Sequence, residues 1–491
     1  MSCQLVATLL PRAAETAAAA LLHPPPGVDT FELRLDALPE PDERSVRALL
    51  ALPRSAPVIA TCRPRPGLDD AARLALLACA ASAGAETLDV DDGLLARLPG
   101  GLPGERLPSC HLPHFAPRLE ALARRLAGHG ASVAKLAVPA DTPRQLAELL
   151  RLQEQFAGQL AIVPTGRLSE AGRVMLAGRG APLTYGALEA EHPGHPDQPP
   201  VERLHAIFGL GHVGAGTRFA AVVARPAHHS LSPAYHNAVF HLTGQDRRLV
   251  ALEVDRLADV LDAADALRLD HFAVSHPFKQ EAFELAASRM PGAEAAGAAN
   301  TLLRTPAGWQ ARNTDWRAAC DLLPRLLKGW RRRHAGQRPR VLLLGSGGAA
   351  RAIAVALFEE DVELGIWSRR PEHAERLAQA LVEALPTAQA VAEPPAFASD
   401  LVVNATPVGS PGVDTGLPVL EGCFRSGALA VDLTYGTGRS PFRAAAATAG
   451  AQMTNGEEFF FRQARRQAEL FTAAPVPDAL HAQAVSKARD E

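Results

Sequence analysis

Eight short apolar segments recur through the first two hundred residues: QLVATLL (4–10), TFELRLD (30–36), PVIATCR (57–63), ETLDVD (86–91), ERLPSCH (105–111), SVAKLAV (132–138), LAIVPTG (160–166) and PLTYGAL (182–188). Most are separated by Ala/Leu/Arg stretches of helical period, such as SVRALLAL and RQLAELLRLQEQF. Strands alternating with amphipathic helices predict a parallel sheet, and eight such units predict a (β/α)8 TIM barrel. The spacing between the fourth and fifth strands leaves little room for a full helix. From Glu191 to Thr217 the pattern gives way to His, Pro and Gly around one short helical stretch, VERLHAIF, which predicts a domain boundary.

Beyond that boundary the α/β alternation resumes. FAAVVA reads as a strand, followed by a polar turn and a helix entered through Pro233, and HFAVS reads as a buried strand ending at Ser275. PRVLLLGSGGAARAIAVALF combines an apolar strand, a Gly-rich turn and an Ala-rich helix, and DLVVNATPVG and ALAVDLTYGTGRSPF supply further strands of an open sheet. The predicted division is a barrel over 1–205, a second α/β domain over 206–318 completed by 452–491, and a Rossmann dinucleotide-binding domain over 319–451.

Composition narrows the partners. Net charge is −3 over 491 residues with both signs interspersed, which argues against a nucleic-acid groove or a polybasic membrane patch and for small-molecule substrates. It fixes no oligomeric state. The six cysteines are scattered, with no CxxC pair and no Cys/His cluster at zinc spacing, so they read as reduced and no metal site is expected. The start, MSCQLVATLLP, has no basic n-region, and no apolar run approaches a membrane span, which predicts a cytoplasmic protein.

Four lysines, at 135, 279, 328 and 487, stand against 46 arginines. A chain that uses Arg for almost every positive charge keeps Lys where only a primary amine will do. In a barrel the chemistry gathers at the C-terminal strand ends, and the polar residues fall there. Glu32, Arg34 and Asp36 share one face of the second strand, Arg63 ends the third, His111 ends the fifth, and Lys135 interrupts the sixth. Burial of Lys135 predicts a lowered pKa, which suits an imine-forming nucleophile. Taken singly, Glu32 and Arg34 read as a structural ion pair and His111 as a satisfied loop histidine. Together with Lys135 they read as a site.

These residues carry a resemblance. ELRLD, TCRP, SCH, VAKLAV and GRVMLAGRGAPLTYGAL resemble the type I 3-dehydroquinate dehydratase family over about residues 3–200. The resemblance implies that Lys135 forms an imine with the substrate ketone, that His111 shuttles the proton, and that Glu32, Arg34, Arg63 and Arg173 hold hydroxyls and carboxylate. Two loops depart from the family. RPGLDD replaces a longer acidic segment with a substrate-contacting Glu, leaving Asp69 or Asp70 as substitutes. EHPGHPDQPP replaces a Ser-Ala-Pro-Gly-Gln lid, with Gln198 as the equivalent of its Gln.

In the second half, Ser230 and Ser232 precede a helix where hydroxyls and free backbone N–H groups receive a carboxylate, although a Ser-Leu-Ser-Pro turn alone is usually a cap. Lys279, Asn300 and Asp315 come onto one cleft wall from separate strand ends, and a Lys/Asp pair is more commonly a salt bridge than a catalytic device. Gly345, Gly347 and Gly348 form a turn that places a pyrophosphate on a helix N-terminus. The next strand ends in Ser368, Arg369 and Arg370 instead of an acid, which favours the 2′-phosphate of NADP. The succession HSLSP, VSHPFK, ANT, NTD, GSGGAARA, NATPVG, DLTYG and a final Gln, over about 218–473, resembles the shikimate dehydrogenase family. It implies Ser230 and Ser232 at the substrate carboxylate, and Ser275, Asn300, Asp315 and Gln463 at its hydroxyls. Lys279 is then the acid/base, assisted by Asp315 with Tyr435 nearby, and Ser346, Ala349, Asn404 and Thr406 join the glycines at the cofactor.

Joined in one chain, the resemblances describe consecutive reactions in the arrangement of the plant-type bifunctional enzymes: dehydration of 3-dehydroquinate, then NADPH-dependent reduction of 3-dehydroshikimate to shikimate. Two alternatives stay open at this point. One is a quinate or shikimate dehydrogenase with an inactive barrel, and the other is a non-catalytic quinate-sensing regulator.

Overall fold

The computed structural model describes residues 3–12, 14–410, 413, 416–435 and 440–490. Gly436–Arg439 of the DLTYGTGR segment therefore lie outside the described residues. By compactness the chain divides into residues 1–221 with 244–269, and residues 222–243 with 270–491.

The first unit contains the barrel. Its strands are β1 (Gln4–Leu9), β2 (Thr30–Arg34), β3 (Val58–Thr61), β4 (Thr87–Asp91), β5 (Glu105–His111), β6 (Ala134–Pro139), β7 (Leu160–Thr165) and β8 (Leu183–Ala187). They pair in parallel in the order β7-β6-β5-β4-β3-β2-β1-β8. Among the described residues no hydrogen-bonded ladder joins β7 to β8, so the barrel is near-closed. Each predicted strand is present within a few residues. Between β4 and β5 the chain makes only a 3-10 turn, Asp92–Arg97, as the short spacing required. Apolar side chains from several strands, among them Val6, Ile59, Leu107, Ala137 and Val163, form one cluster inside, and polar residues lie among them at the positions described below.

Ten further residue runs form β9 (Arg218–Ala224), β10 (Arg247–Glu253), β11 (Leu269–Val274), β12 (Ser288–Arg289), β13 (Thr301–Thr305), β14 (Gly308–Arg312), β15 (Arg340–Leu344), β16 (Glu363–Trp367), β17 (Gln389–Ala390) and β18 (Ser399–Asn404), and the last strands are β19 (Phe424–Asp432) and β20 (Gln452–Thr454). One six-stranded sheet has the order β10-β9-β11-β13-β14-β12. The other, wholly within the second unit, is parallel with the order β17-β16-β15-β18-β19-β20. Relative to its first strand, β15, that order is the 3-2-1-4-5-6 of a doubly wound dinucleotide-binding fold. The turn after β15 is the Gly-rich GSGG at its centre. A long helix, Thr314–Arg333, covers this sheet and buries Leu323, Leu327 and Trp330 against β15 and β16 residues. Among the described residues no helix is long and apolar enough to cross a membrane.

Candidate active sites

In the barrel, register brings the polar residues together. Thr8 lies beside Glu32, Thr61 beside Asp89, and Ser109 beside Lys135. Neighbours in register point to the same side of a sheet, so these form a polar belt. Lys135 Nζ donates to Glu32 Oε1 at 2.8 Å and to Asp89 Oδ2 at 2.9 Å, and all three residues are buried. Glu32 is itself fixed by Thr8 Oγ1 at 2.8 Å and Thr61 Oγ1 at 3.2 Å.

This corrects the expectation of a lowered lysine pKa. Burial alone pulls the Lys135 ammonium down, but the carboxylates of Asp89 and Glu32 outweigh it and hold the group above its usual range. Burial likewise works to raise both carboxyls, and Lys135 brings Glu32 and Asp89 below the usual carboxylate range. For His111 the balance falls the other way. Burial first, then the positive charges of Arg63 and Lys135, push it well below the usual histidine value, so it is neutral near pH 7. Asp89 Oδ1, Ser109 Oγ and His111 Nδ1 are buried without partners at hydrogen-bonding geometry among the described residues. Ser109 helps to lower the Asp89 carboxyl, and His111 Nδ1 is left for a ligand to satisfy.

The arginines are more committed than the sequence indicated. Arg34 donates to Asp36 through Nε and Nη2 at 3.0 and 2.8 Å, and through Nη1 to the Gly194 carbonyl at 3.1 Å. Arg63 pairs with Asp91 at 2.9 Å, and buried Arg173 donates to Ser169 Oγ and to the Tyr185 carbonyl. Gln198 reaches the same belt: its Nε2 donates to Thr8 Oγ1 at 2.8 Å, and its Oε1 accepts from Gly194 N. The loop 191–200 is thereby tied to the carboxylate that holds Lys135. Asp69 and Asp70 do not reach the site. Asp69 caps the helix Asp70–Ser82, and Asp70 pairs with Arg73 and Arg97. The short RPGLDD loop spends its acids on starting that helix.

In the second unit, Ser230, Ser232, Ser275, Lys279, Asn300, Asp315, Tyr435 and Gln463 all line one cavity of about 140 Å³, together with Ala349 from the Gly-rich turn. Lys279 opens the helix Lys279–Leu285 and donates to Asp315 Oδ2 at 2.5 Å. Asp315 sits in the first turn of Thr314–Arg333, capped by Asn313, where the helix N-terminus favours a carboxylate. Gln463 Oε1 accepts from Asn300 Nδ2 and Thr314 Oγ1, both at 3.2 Å, so its amide nitrogen is left to the cavity. Asn300 has its hydrogen-bonding positions filled by Thr301, Thr314 and Gln463. One turn along the same helix as Gln463, Gln467 locks Asn300 through its carbonyl at 2.9 Å. Burial pushes the Tyr435 hydroxyl up, with Leu231 and Ser230 as partners that draw it back.

The Gly-rich turn fits a dinucleotide. Gly345 has φ +115°, and a Cβ there would stand 3.1 Å from the Ala405 carbonyl. A Cβ on Gly348 would lie 2.6 Å from Lys279 Cβ, so only glycine lets the turn come this close to the lysine. The helix Gly348–Val355 starts without a side-chain cap, leaving its N–H groups for a phosphate. Ser346 and Ser368 hydroxyls bond at 3.1 Å, while Arg369 and Arg370 are exposed. Asn404 is fully buried, its amide taken by Val408, Asp432 and Thr406; it and Asp432 brace the ends of β18 and β19, and Thr406 closes that turn.

Asp89, Thr8, Thr61, Tyr185 and Gln467 escaped the sequence reading. Asp89 left a signal: in TLDVD it occupies the inward phase of an apolar strand, as Lys135 does in its own.

Two lysine-centred sites, one in a barrel and one beside a dinucleotide turn, define a two-site α/β enzyme. Residues 6–214 match the type I 3-dehydroquinase family, and residues 222–302 match the shikimate dehydrogenase substrate binding domain. The shikimate dehydrogenase (NADP(+)) of Anaeromyxobacter sp. (strain K) is 38% identical over 55% of this chain and 96% of its own length. The bifunctional 3-dehydroquinate dehydratase/shikimate dehydrogenase, chloroplastic, of Arabidopsis thaliana is 27% identical over 94% of this chain and 80% of its own. A shikimate 5-dehydrogenase from Thermus thermophilus, solved with NADP(H) and shikimate, is 28% identical over 56% of this chain and 99% of its own, with a TM-score of 0.46. The chain belongs to the shikimate dehydrogenase family and carries a type I 3-dehydroquinase domain ahead of it.

Proposed function

We propose that the protein dehydrates 3-dehydroquinate to 3-dehydroshikimate in its barrel and reduces 3-dehydroshikimate to shikimate with NADPH in its second unit. The observation that carries this reading is that each fold brings one lysine onto carboxylates beside polar groups awaiting a ligand. The domains are read as 1–205, 206–318 with 452–491, and 319–451. The dispersed charge supports small-molecule partners over nucleic acid or a membrane surface, and a cytoplasmic location is part of the same proposal.

In the barrel, Lys135 passes one ammonium proton to the Glu32–Asp89 carboxylates it bonds and attacks the ketone as the free amine. The carboxylates return that proton when the carbinolamine oxygen leaves as water. Two of its ammonium protons leave with the ketone oxygen as water, and the nitrogen stays positive as an iminium. That charge acidifies the neighbouring carbon, and neutral His111 takes the proton and returns it to the departing hydroxide. Glu32 and Asp89 keep the nitrogen in place throughout. Arg34, Arg63, Arg173 and Gln198 orient the substrate.

In the second unit, Ser230 and Ser232 receive the substrate carboxylate, Ser275, Tyr435 and Gln463 hold its hydroxyls, and Asn300, bonded to Gln463 Oε1, fixes that amide for the contact. Gly345, Ser346, Gly347, Gly348 and Ala349 would hold the pyrophosphate of NADPH and Ser368, Arg369 and Arg370 its 2′-phosphate, and the bound cofactor would supply the hydride. Lys279 gives a proton to the ketone oxygen, and Asp315 holds the ammonium for that transfer.

A coupled assay tests this reading. Supplied with 3-dehydroquinate and NADPH alone, the protein is expected to oxidise NADPH and release shikimate. NADPH consumption only when 3-dehydroshikimate is supplied would instead identify a dehydrogenase with an inactive barrel. Ligand binding with no turnover of either compound would identify a sensor.

A further inference from the structure

Tyr185 belongs to the apolar cluster of the barrel with Val6, Ile59 and Leu107, yet two observations set it apart. Lys135 Nζ lies over its ring, 3.9 Å from the centroid. Its hydroxyl is buried with no partner at hydrogen-bonding geometry among the described residues, burial raising its pKa and the neighbouring Lys135 ammonium drawing it down, and the whole residue is only 2% exposed. The electron-rich face of an aromatic ring attracts a cation, most strongly where water is excluded. A buried hydroxyl left unpaired is costly, and a native structure tolerates it where a ligand completes the bond.

The two carboxylates and the ring thus enclose the same nitrogen. We propose that Tyr185 is a further catalytic residue of the dehydratase site: its ring face carries the positive charge on the Lys135 nitrogen from ammonium to iminium, and its hydroxyl bonds the substrate. The idea rests on the imine reading above. When Lys135 condenses with the ketone, the C–O bond breaks, a C=N bond forms, water departs, and the nitrogen keeps one positive charge. The ammonium shares its charge with two carboxylates through its N–H bonds, whereas the iminium keeps a single N–H. A ring already placed against that nitrogen therefore stabilises the iminium and the steps leading to it more than the starting ammonium. Burial pushes the tyrosine hydroxyl above its usual range, so it remains a neutral donor.

Tyr185→Phe keeps the ring and removes the hydroxyl, and Tyr185→Leu removes both. With 3-dehydroquinate, Tyr185→Phe is expected to raise KM about fivefold with kcat within about threefold of wild type. Tyr185→Leu is expected to lower kcat about 10- to 30-fold. To guard against misfolding of the leucine variant, 3,4,5-trifluorophenylalanine at position 185 drains the ring's negative face while keeping its shape. It is expected to lower kcat about 10-fold relative to Tyr185→Phe. Equal kcat for the phenylalanine and fluorinated variants overturns the ring's role, and an unchanged KM in Tyr185→Phe overturns the hydroxyl's. Borohydride trapping on the wild type separates this inference from the reading beneath it. No adduct at Lys135 removes the imine itself, whereas an adduct with kinetically silent Tyr185 variants removes only the present proposal.

Discussion

The two lysines are held in opposite ways. Lys135 is sealed, with a 5% exposed side chain between two buried carboxylates, whereas Lys279 has one carboxylate and a 17% exposed side chain opening on a cavity. The difference fits the chemistry proposed above. A nitrogen that becomes an iminium must keep its charge away from water through several bond changes, so the barrel surrounds it. A proton donor must be refilled after every turnover, and contact with solvent serves that end. On the proposed mechanism one fold stores a cation and the other passes a proton.

Several perturbations would sharpen or break this contrast. Among changes to the groups around the two lysines, the largest effect is expected from Asp315→Asn, which removes the carboxylate that Lys279 bonds. Dehydrogenase kcat should fall about 10²- to 10⁴-fold, measured with 3-dehydroshikimate and NADPH, while dehydratase activity stays. An undiminished kcat would mean that Lys279 needs no anchor. Glu32→Gln leaves Lys135 with Asp89 alone. Breaking a buried pair costs about 3–5 kcal/mol, so the barrel should melt earlier while still binding substrate.

The same pair sets the acid limb of stability. Because Glu32 and Asp89 have folded pKa values below their unfolded ones, near about 4, their contribution is present above that pH. It is lost as pH falls through the folded values. Lys135, raised on folding, contributes below its unfolded value and loses that contribution only as pH rises past the folded one. Melting curves from pH 7 down to 2 should therefore drop more steeply for wild type than for Glu32→Gln, and parallel curves would deny the cage its electrostatic role.

A smaller effect is expected at the cofactor. Replacing Arg369 and Arg370 together by Ala should raise KM for NADPH about 10- to 30-fold and leave KM for NADH unmoved. An equal rise for both coenzymes would place the arginines elsewhere. The smallest expected effect is at Thr8. Thr8→Val removes one of Glu32's two hydroxyl donors and Gln198's acceptor, costing about 1 kcal/mol of stability, which denaturant titration reads. A neutral result would detach the loop 191–200 from the cage.

Much of this was legible in the chain because the signals were local. Strand phase placed Lys135 and His111 on one face of the sheet, although only His111 ends its strand and Lys135 is the second residue of β6, and the GSGG turn announced its own conformation. What escaped was set by distance. The direction of the Lys135 pKa depends on Glu32 and Asp89, which lie 103 and 46 residues away in sequence, and no window around the lysine contains them. Asp69 and Asp70 were weighed as substrate ligands because the loop was short of acids, whereas the helix they begin claims them first. Asn404 illustrates the same limit: its motif suggested a cofactor contact, but its amide serves Asp432, a residue of the next strand.

The central claim, one lysine for each reaction, is tested most directly by Lys135→Arg and Lys279→Arg assayed separately on each half-reaction, since Arg keeps the charge but neither forms the imine nor yields the proton. Lys135→Arg should lose dehydration by about 10⁴-fold or more and still reduce 3-dehydroshikimate at the wild-type rate, and Lys279→Arg should do the reverse. Loss of both activities in either folded variant would contradict the account.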